Sequence, residues 1–100
     1  MLKLNKIKTV LGEPYYDNDS VIIYNMDCLD ALKKLKEAGV KIDATITSPP
    51  YNIGKEYEQI MPVNSFVNWL VDISNNIYDI TKSSGNYLLN VGYLEVPEKG

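Results

Sequence analysis

The chain has no histidine, no arginine and one cysteine in its 100 residues. The missing histidines, with no cluster of metal-ligand spacing, leave no candidate zinc centre. A lone thiol, Cys28, excludes an internal disulfide and fits a reducing compartment, so a cytoplasmic location is expected. All ten basic residues are lysines, which removes the bidentate arginine contacts common in the reading of base edges. No apolar run approaches the roughly 20 residues needed to cross a bilayer, and Met1 to Lys6 lacks the hydrophobic stretch of a signal peptide, so no membrane partner is expected. Acidic residues exceed basic ones and the formal net charge is −3. A chain of this charge is not a self-sufficient surface for a polyanion, whose affinity rests mainly on cations meeting phosphates.

What is present is the composition of one small globular unit, 45% hydrophobic and 23% charged, with a modest core. Residues 1–20 read as an amino-terminal arm, in which Lys3, Lys6 and Lys8 alternate with Leu2, Leu4, Ile7 and Val10 in an edge strand or a surface-lying segment. Those lysines read as a solvated face. Gly12-Glu13-Pro14 marks a turn, and Asp17-Asn18-Asp19-Ser20 is a loop of residues that hydrogen-bond their own backbone. Val21 to Met26 is β-branched and apolar, as expected of a strand covered on both faces. Asp27 then caps a helix bearing Leu29, Leu32 and Leu35, which stops at Gly39. Cys28, just after the cap, reads as a small buried residue rather than a reactive thiol.

A second strand, Ile42 to Thr47, runs into Ser48-Pro49-Pro50-Tyr51-Asn52-Ile53. Two consecutive prolines donate no backbone hydrogen bonds and hold φ near about −65°, so the sheet ladder ends there and the Ser48 and Pro49 carbonyls are released to other partners. The loop beyond carries Lys55, Glu56, Tyr57 and Glu58. Asn64 or Ser65 is the expected cap of a long helix with Phe66, Trp69, Leu70, Ile73, Ile77 and Ile80 at three- and four-residue intervals. Trp69 shares that stripe and reads as a core anchor. Ser83-Ser84-Gly85 is the expected helix end and Asn86 to Val91 a third strand. The pattern over residues 21–93 is β-α-β-α-β, an α/β class with mainly parallel strands. Both Asp27 and Ser48 stand at the carboxyl ends of strands, where ligands bind in open α/β sheets.

Taken alone, Ser-Pro-Pro-Tyr is ordinary turn chemistry, or a proline-rich docking peptide were its flanks disordered. In its setting it resembles a family. Ser48-Pro49-Pro50-Tyr51 after a buried strand, continued by Asn52-Ile53 and an acidic, aromatic loop, is similar to the catalytic motif of DNA methyltransferases that modify exocyclic amines, above all the cytosine-N4 type. Asp27-Cys28-Leu29-Asp30-Ala31-Leu32 upstream strengthens the likeness. The resemblance implies a Rossmann-like methyltransferase fold, S-adenosylmethionine as cofactor, DNA as substrate with the target base flipped out, a restriction-modification setting, and motif blocks in permuted order. It implies catalytic roles for Ser48, Pro49, Pro50 and Tyr51, cofactor contacts from Asp27 and Ser48, and substrate contacts from Tyr51, Asn52, Lys55 and Tyr57. For Lys55 and Tyr57 the plain alternative is a surface loop.

The chemistry is coherent with those residue types. A cytosine amino nitrogen is a poor nucleophile because its lone pair is delocalised into the ring. Acceptors fixed beforehand on its hydrogens, here the Ser48 hydroxyl and the Pro49 carbonyl, favour a pyramidal and more reactive nitrogen, while Tyr51 offers a face on which an unstacked base rests. Complete members of the resembled family carry a Phe-x-Gly-x-Gly turn against the cofactor, where glycine permits close backbone approach. The six glycines here are isolated. The chain therefore reads as a single partial methyltransferase domain over 1–100, inactive alone, whose partner is a complementary segment supplying that turn and the DNA-recognition region. Alternatives are an adenine-N6 enzyme fragment, an RNA or protein methyltransferase, for which asparagine is more usual at the first motif position, and a non-catalytic remnant serving in binding or assembly.

Overall fold

The computed structural model describes residues 2–49 and 62–91. Seven elements follow in order: α1 (Leu2–Leu11), β1 (Tyr16–Asp17), β2 (Ile22–Ile23), α2 (Cys28–Glu37), β3 (Ile42–Thr47), α3 (Val63–Ile80) and β4 (Thr81–Leu89). The β2-α2-β3-α3-β4 series matches the expected alternation of strands and helices, with β3 and β4 parallel. The molecule is thus a mixed α/β structure with a parallel strand pair.

The first twenty residues differ from expectation. Leu2–Leu11 is a helix, not an edge strand. Leu4, Ile7, Val10 and Leu11 are half-buried while Asn5, Lys6 and Thr9 are exposed, so the apolar residues follow a helical period and pack toward α2. The helix stops at Gly12, whose φ of 87° suits a residue without Cβ. Asn18 then closes the anticipated turn: its Oδ1 accepts from the Ser20 and Val21 amides, both at 2.8 Å. That turn sets β1 against β2 in an antiparallel pair, Tyr16 opposite Ile23 and Asp17 opposite Ile22.

The stretch Val21 to Met26 is accordingly not a strand covered on both faces. Only Ile22–Ile23 is strand, and Val21 and Ile23 are each 47% exposed. Among the described residues, no element lies over them to bury their apolar side chains.

Helix α2 forms as the sequence predicts. Asp27 Oδ1 accepts from the amides of Leu29 at 2.9 Å and Asp30 at 3.2 Å, satisfying donors that the first turn leaves without partners. At the other end the Val40 amide donates to Leu35 O and the Gly39 amide to Lys36 O, both at 3.0 Å, with Gly39 at φ 71°. This is a Schellman closure, and it delivers Val40 into the core immediately before β3.

Helix α3 begins at Val63 with Pro62 in the cap position and no side-chain cap. Asn64 and Ser65 lie inside its first turn and so are not the cap. Proline's fixed φ, here −53°, pre-sets the entry, and the Pro62 carbonyl accepts from Phe66 at 2.9 Å. Ile73, Asn76, Ile77 and Ile80 form its buried stripe. Asn76 is satisfied within the helix, donating to Asp72 O at 2.8 Å. Lys36 Nζ meets Asp79 Oδ2 and Lys41 Nζ meets Asp79 O, both at 2.7 Å, tying α2 and the approach to β3 to the carboxyl end of α3.

The helix ends at Ile80 and β4 starts at once, without the Ser83-Ser84-Gly85 terminator expected. Ile42 pairs with Thr81 and Ala44 with Asn86, so Asp43 faces a bulge running from Lys82 to Gly85. A Cβ on Gly85 would lie 2.5 Å from Thr81 Cγ2 and 2.7 Å from Asp43 O. The glycine is there for close backbone approach and not to end a helix. Beyond it the ladder is regular: Thr45 with Tyr87, Ile46 with Leu88, Thr47 with Leu89.

Candidate active site at the carboxyl ends of β3 and β4

Beside the carboxyl end of β3 an open cavity of about 430 Å³ lies between α2, α3 and one face of the sheet. Cys28, Ala31 and Leu32 enter from α2, Thr45 and Thr47 from β3, Trp69, Leu70, Ile73 and Ile77 from α3, and Tyr87 from β4, with Ser48 and Pro49 at its mouth. The volume lies in the range that takes small molecules, and the wall is apolar with few polar groups, as in most such sites. Trp69 stands on the packed side of α3 with Phe66, ring centres 5.9 Å apart and planes inclined by 32°. Tyr87 is fixed on the sheet floor by a 3.1 Å hydrogen bond between its hydroxyl and Ser74 Oγ. A larger cavity, about 1030 Å³, opens at the amino ends of the same strands around Lys41 and the bulge. It contains none of the sequence-predicted residues.

Ser48 and Pro49 follow the last paired residue of β3. Ser48 is exposed and Pro49 half-buried. Among the described residues no backbone amide donates to the Pro49 carbonyl. The expected row of acceptors therefore has its first two members at the mouth of a cavity. Pro50, Tyr51, Asn52, Lys55 and Tyr57 lie outside the described residues.

One residue here went unpredicted. Asn90 directly follows β4, donates its amide to Thr47 O at 2.9 Å, and brings its side-chain Nδ2 within 3.3 Å of Ser48 Oγ. The sequence shows only a polar residue after two leucines, and the β3/β4 register is what brings it beside Ser48.

Asp27 stands at the amino end of α2, exposed, and Cys28 after it lines the cavity. Its cap role is explicit in the two amides it accepts. Cys28 is exposed as a residue and not the small buried side chain expected, because the first turn of α2 borders an open cavity and not a packed wall. Partial burial raises its thiol pKa, and the Asp27 carboxylate raises it further. It is therefore a protonated thiol at neutral pH, the opposite of an activated nucleophile.

S-adenosylmethionine carries an adenine ring, a ribose and a cationic sulfonium. The cavity fits these in chemical class: it has an apolar and aromatic wall for a ring, hydroxyls at Thr47 and Ser48, and the Asp27 carboxylate one residue from the lining. Elsewhere Lys8, Lys36 and Lys82 pair with Asp17, Asp79 and Asp43. Among the described residues no cluster of acidic or cysteine side chains could hold a metal ion, and no helix is long and apolar enough to cross a membrane.

Ser48 and Pro49 thus stand beside a cavity at the carboxyl end of a parallel strand, the end of an open α/β sheet at which ligands bind. Residues 42–98, more than half of the chain, match the family described as DNA methylase, and the chain belongs to that family. Members of this family use S-adenosylmethionine as methyl donor.

The type II methyltransferase M.ScaI of Streptomyces caespitosus is 40% identical over 98 residues, covering 98% of this chain and 32% of that protein. M.BamHI of Bacillus amyloliquefaciens, also a type II methyltransferase, is 34% identical over 71 residues, 69% of this chain and 16% of its own length. The DNA adenine methyltransferase YhdJ of Escherichia coli is 29% identical over 79 residues, 75% of this chain and 26% of its own. The chain thus spans about a third or less of the curated relatives it matches. No solved structure matches it.

Proposed function

We propose that the chain is the catalytic-loop portion of a permuted, site-specific DNA methyltransferase that moves a methyl group from S-adenosylmethionine to the exocyclic N4 of cytosine, within a restriction-modification system. The observation that carries the reading is the placement of Ser48 and Pro49 at the carboxyl end of β3, at the mouth of the cavity, in a chain of the DNA methylase family. The Ser48 hydroxyl and Pro49 carbonyl hold the hydrogens of the target amine, and Pro50 stiffens the row. Tyr51 stacks on the extruded base, with Asn52, Lys55 and Tyr57 completing the substrate contacts. Asp27 and Ser48 hold the cofactor, which when bound supplies a methyl group on a sulfonium. Proximity and orientation of the two reactants account for much of the rate.

Two features support a role as part of a larger fold. Val21 and Ile23 are half exposed, and the sheet face opposite the helices leaves Ile46 80% and Leu88 56% exposed. Apolar surface of this kind is buried by a further layer in doubly wound folds. A complementary segment that adds strands, the glycine-rich cofactor turn and the DNA-recognition region is the partner proposed. Calorimetry of the 100-residue chain with S-adenosylmethionine is expected to show no tight binding, and tight binding would contradict the need for that segment.

The test is co-expression with the remainder of M.ScaI outside the third that this chain matches, followed by mass spectrometry of nucleosides from the host DNA. N4-methylcytosine is expected, and it is expected to disappear with Ser48→Ala. Methyl transfer unchanged in both Pro50→Ala and Tyr51→Ala would remove the mechanistic assignment. A second reading, adenine-N6 methylation, is favoured by the likeness to the adenine methyltransferase YhdJ. N6-methyladenine in the same digest would establish it in place of the first.

A further inference from the structure

Ser48 carries one hydrogen and two lone pairs on its hydroxyl. On an exposed residue just beyond a strand that hydroxyl turns freely, and a free rotor is a poor preorganised acceptor. The structure restrains it from the neighbouring strand. Thr47 pairs with Leu89 in the regular part of the ladder. The next amide, that of Asn90, donates to Thr47 O at 2.9 Å, so the ladder runs one residue past β4 and fixes the Asn90 backbone beside Ser48. From there Asn90 Nδ2 donates to Ser48 Oγ at 3.3 Å.

We infer that Asn90 is a positioning residue: by occupying one lone pair of Ser48 Oγ, it turns the other toward the target amine. The inference rests on the function proposed above and adds to it a residue outside the Ser-Pro-Pro-Tyr motif. Asn90 acts through Ser48, and no contact of its own with substrate is invoked. Its backbone anchor on Thr47 is independent of its side chain, so substitution of the side chain leaves the ladder in place. The arrangement also explains why an amide suits the position. A carboxylate accepts only, and would draw the Ser48 proton toward itself.

The test compares Asn90→Ala, Asn90→Asp and Ser48→Ala in the complemented methyltransferase. Removing one neutral hydrogen bond predicts a fall in kcat of about tenfold for Asn90→Ala, with KM within about twofold. Asn90→Asp is expected to introduce a new ionisation in the kcat-pH profile, because a protonated carboxyl donates to Ser48 as the amide does while an ionised one reverses the bond. A purely structural role moves neither the kcat-KM split nor the pH profile. A readout without turnover is the side-chain amide resonance of Asn90, expected to shift in Ser48→Ala while that of Asn76, bonded within α3, stays in place. An unmoved Asn90 resonance, or wild-type kcat in Asn90→Ala alongside a dead Ser48→Ala, overturns this inference and leaves the proposed function standing. Full activity in Ser48→Ala overturns the proposed function itself.

Discussion

The two strand pairs of this molecule contrast sharply. The β3/β4 ladder is parallel, paired over most of its length and backed by α3, and the buried apolar residues Val40, Ile73, Ile77 and Ile80 gather around it. The β1/β2 pair is two residues long, antiparallel, and leaves Val21 and Ile23 half in water. Each has one strand rich in β-branched residues, β3 in the first and β2 in the second. The difference lies in what covers them: a long amphipathic helix packs on β4, whereas among the described residues β2 is held chiefly by its hairpin partner and the Asn18 turn. The same kind of sequence gives a strand of a long ladder with one face against helices in one place and a short surface ribbon in the other, because strand propensity is realised through its packing partners.

The comparison predicts a graded series of stability losses, measured as shifts in urea unfolding of the chain. Ile80 is 1% exposed, and truncation to alanine removes buried methyl groups and leaves a cavity, for an expected loss of about 2–5 kcal/mol. For a domain of this size that is a large share of the total. Gly85→Ala comes next. The added methyl meets the Asp43 carbonyl oxygen at 2.7 Å, and a backbone atom in a ladder cannot swing aside. An overpacking cost of about 1–3 kcal/mol is expected, with loss of amide protection concentrated at Lys82 to Asn86. A neutral Gly85→Ala would mean that the bulge is soft and that β4 takes its register from Thr45, Ile46 and Thr47 alone.

A smaller effect separates two roles of one residue. Asp27→Ala removes the acceptor for the Leu29 and Asp30 amides and is expected to cost about 1 kcal/mol. Asp27→Asn keeps a capping oxygen and is expected to hold stability near wild type while removing the carboxylate proposed to face the cofactor. If both variants unfold alike, the cap is not what Asp27 contributes to α2.

These contrasts also mark what the sequence made legible. The extents of β3 and α2, the Asp27 cap, the Gly39 stop and the stripe of α3 were readable because each depends on neighbours a few residues away. Misread elements depended on something remote or on the backbone alone. The arm became α1 because its Leu4, Ile7 and Leu11 find α2 to pack against, and lysines between them tolerate either period. Gly85 looked like a helix stop, yet its role is set by Asp43, over forty positions earlier. In the site, the position of Ser48 and Pro49 at the end of a strand was legible from the paired prolines. The contact with Asn90 was not, since it exists only once the β3/β4 register is fixed.

The smallest expected change bears on the contrast most directly. Ile23 is about half exposed and its side chain has little to lose, so Ile23→Ala is expected to shift the stability of the chain by less than about 1 kcal/mol. Its carbonyl accepts from the Tyr15 amide at 2.8 Å, a backbone bond that survives the substitution. A loss matching that of Ile80→Ala would show the ribbon to be as integral as the core ladder. If the proposed complementary segment covers β2, the same substitution made in the complemented protein should cost more, toward the range of about 2–5 kcal/mol seen for buried isoleucines. An equal, small cost in both settings would mean that the ribbon stays at the surface and that strand completion takes place elsewhere, with the bare face of Ile46 and Leu88 the remaining place for it.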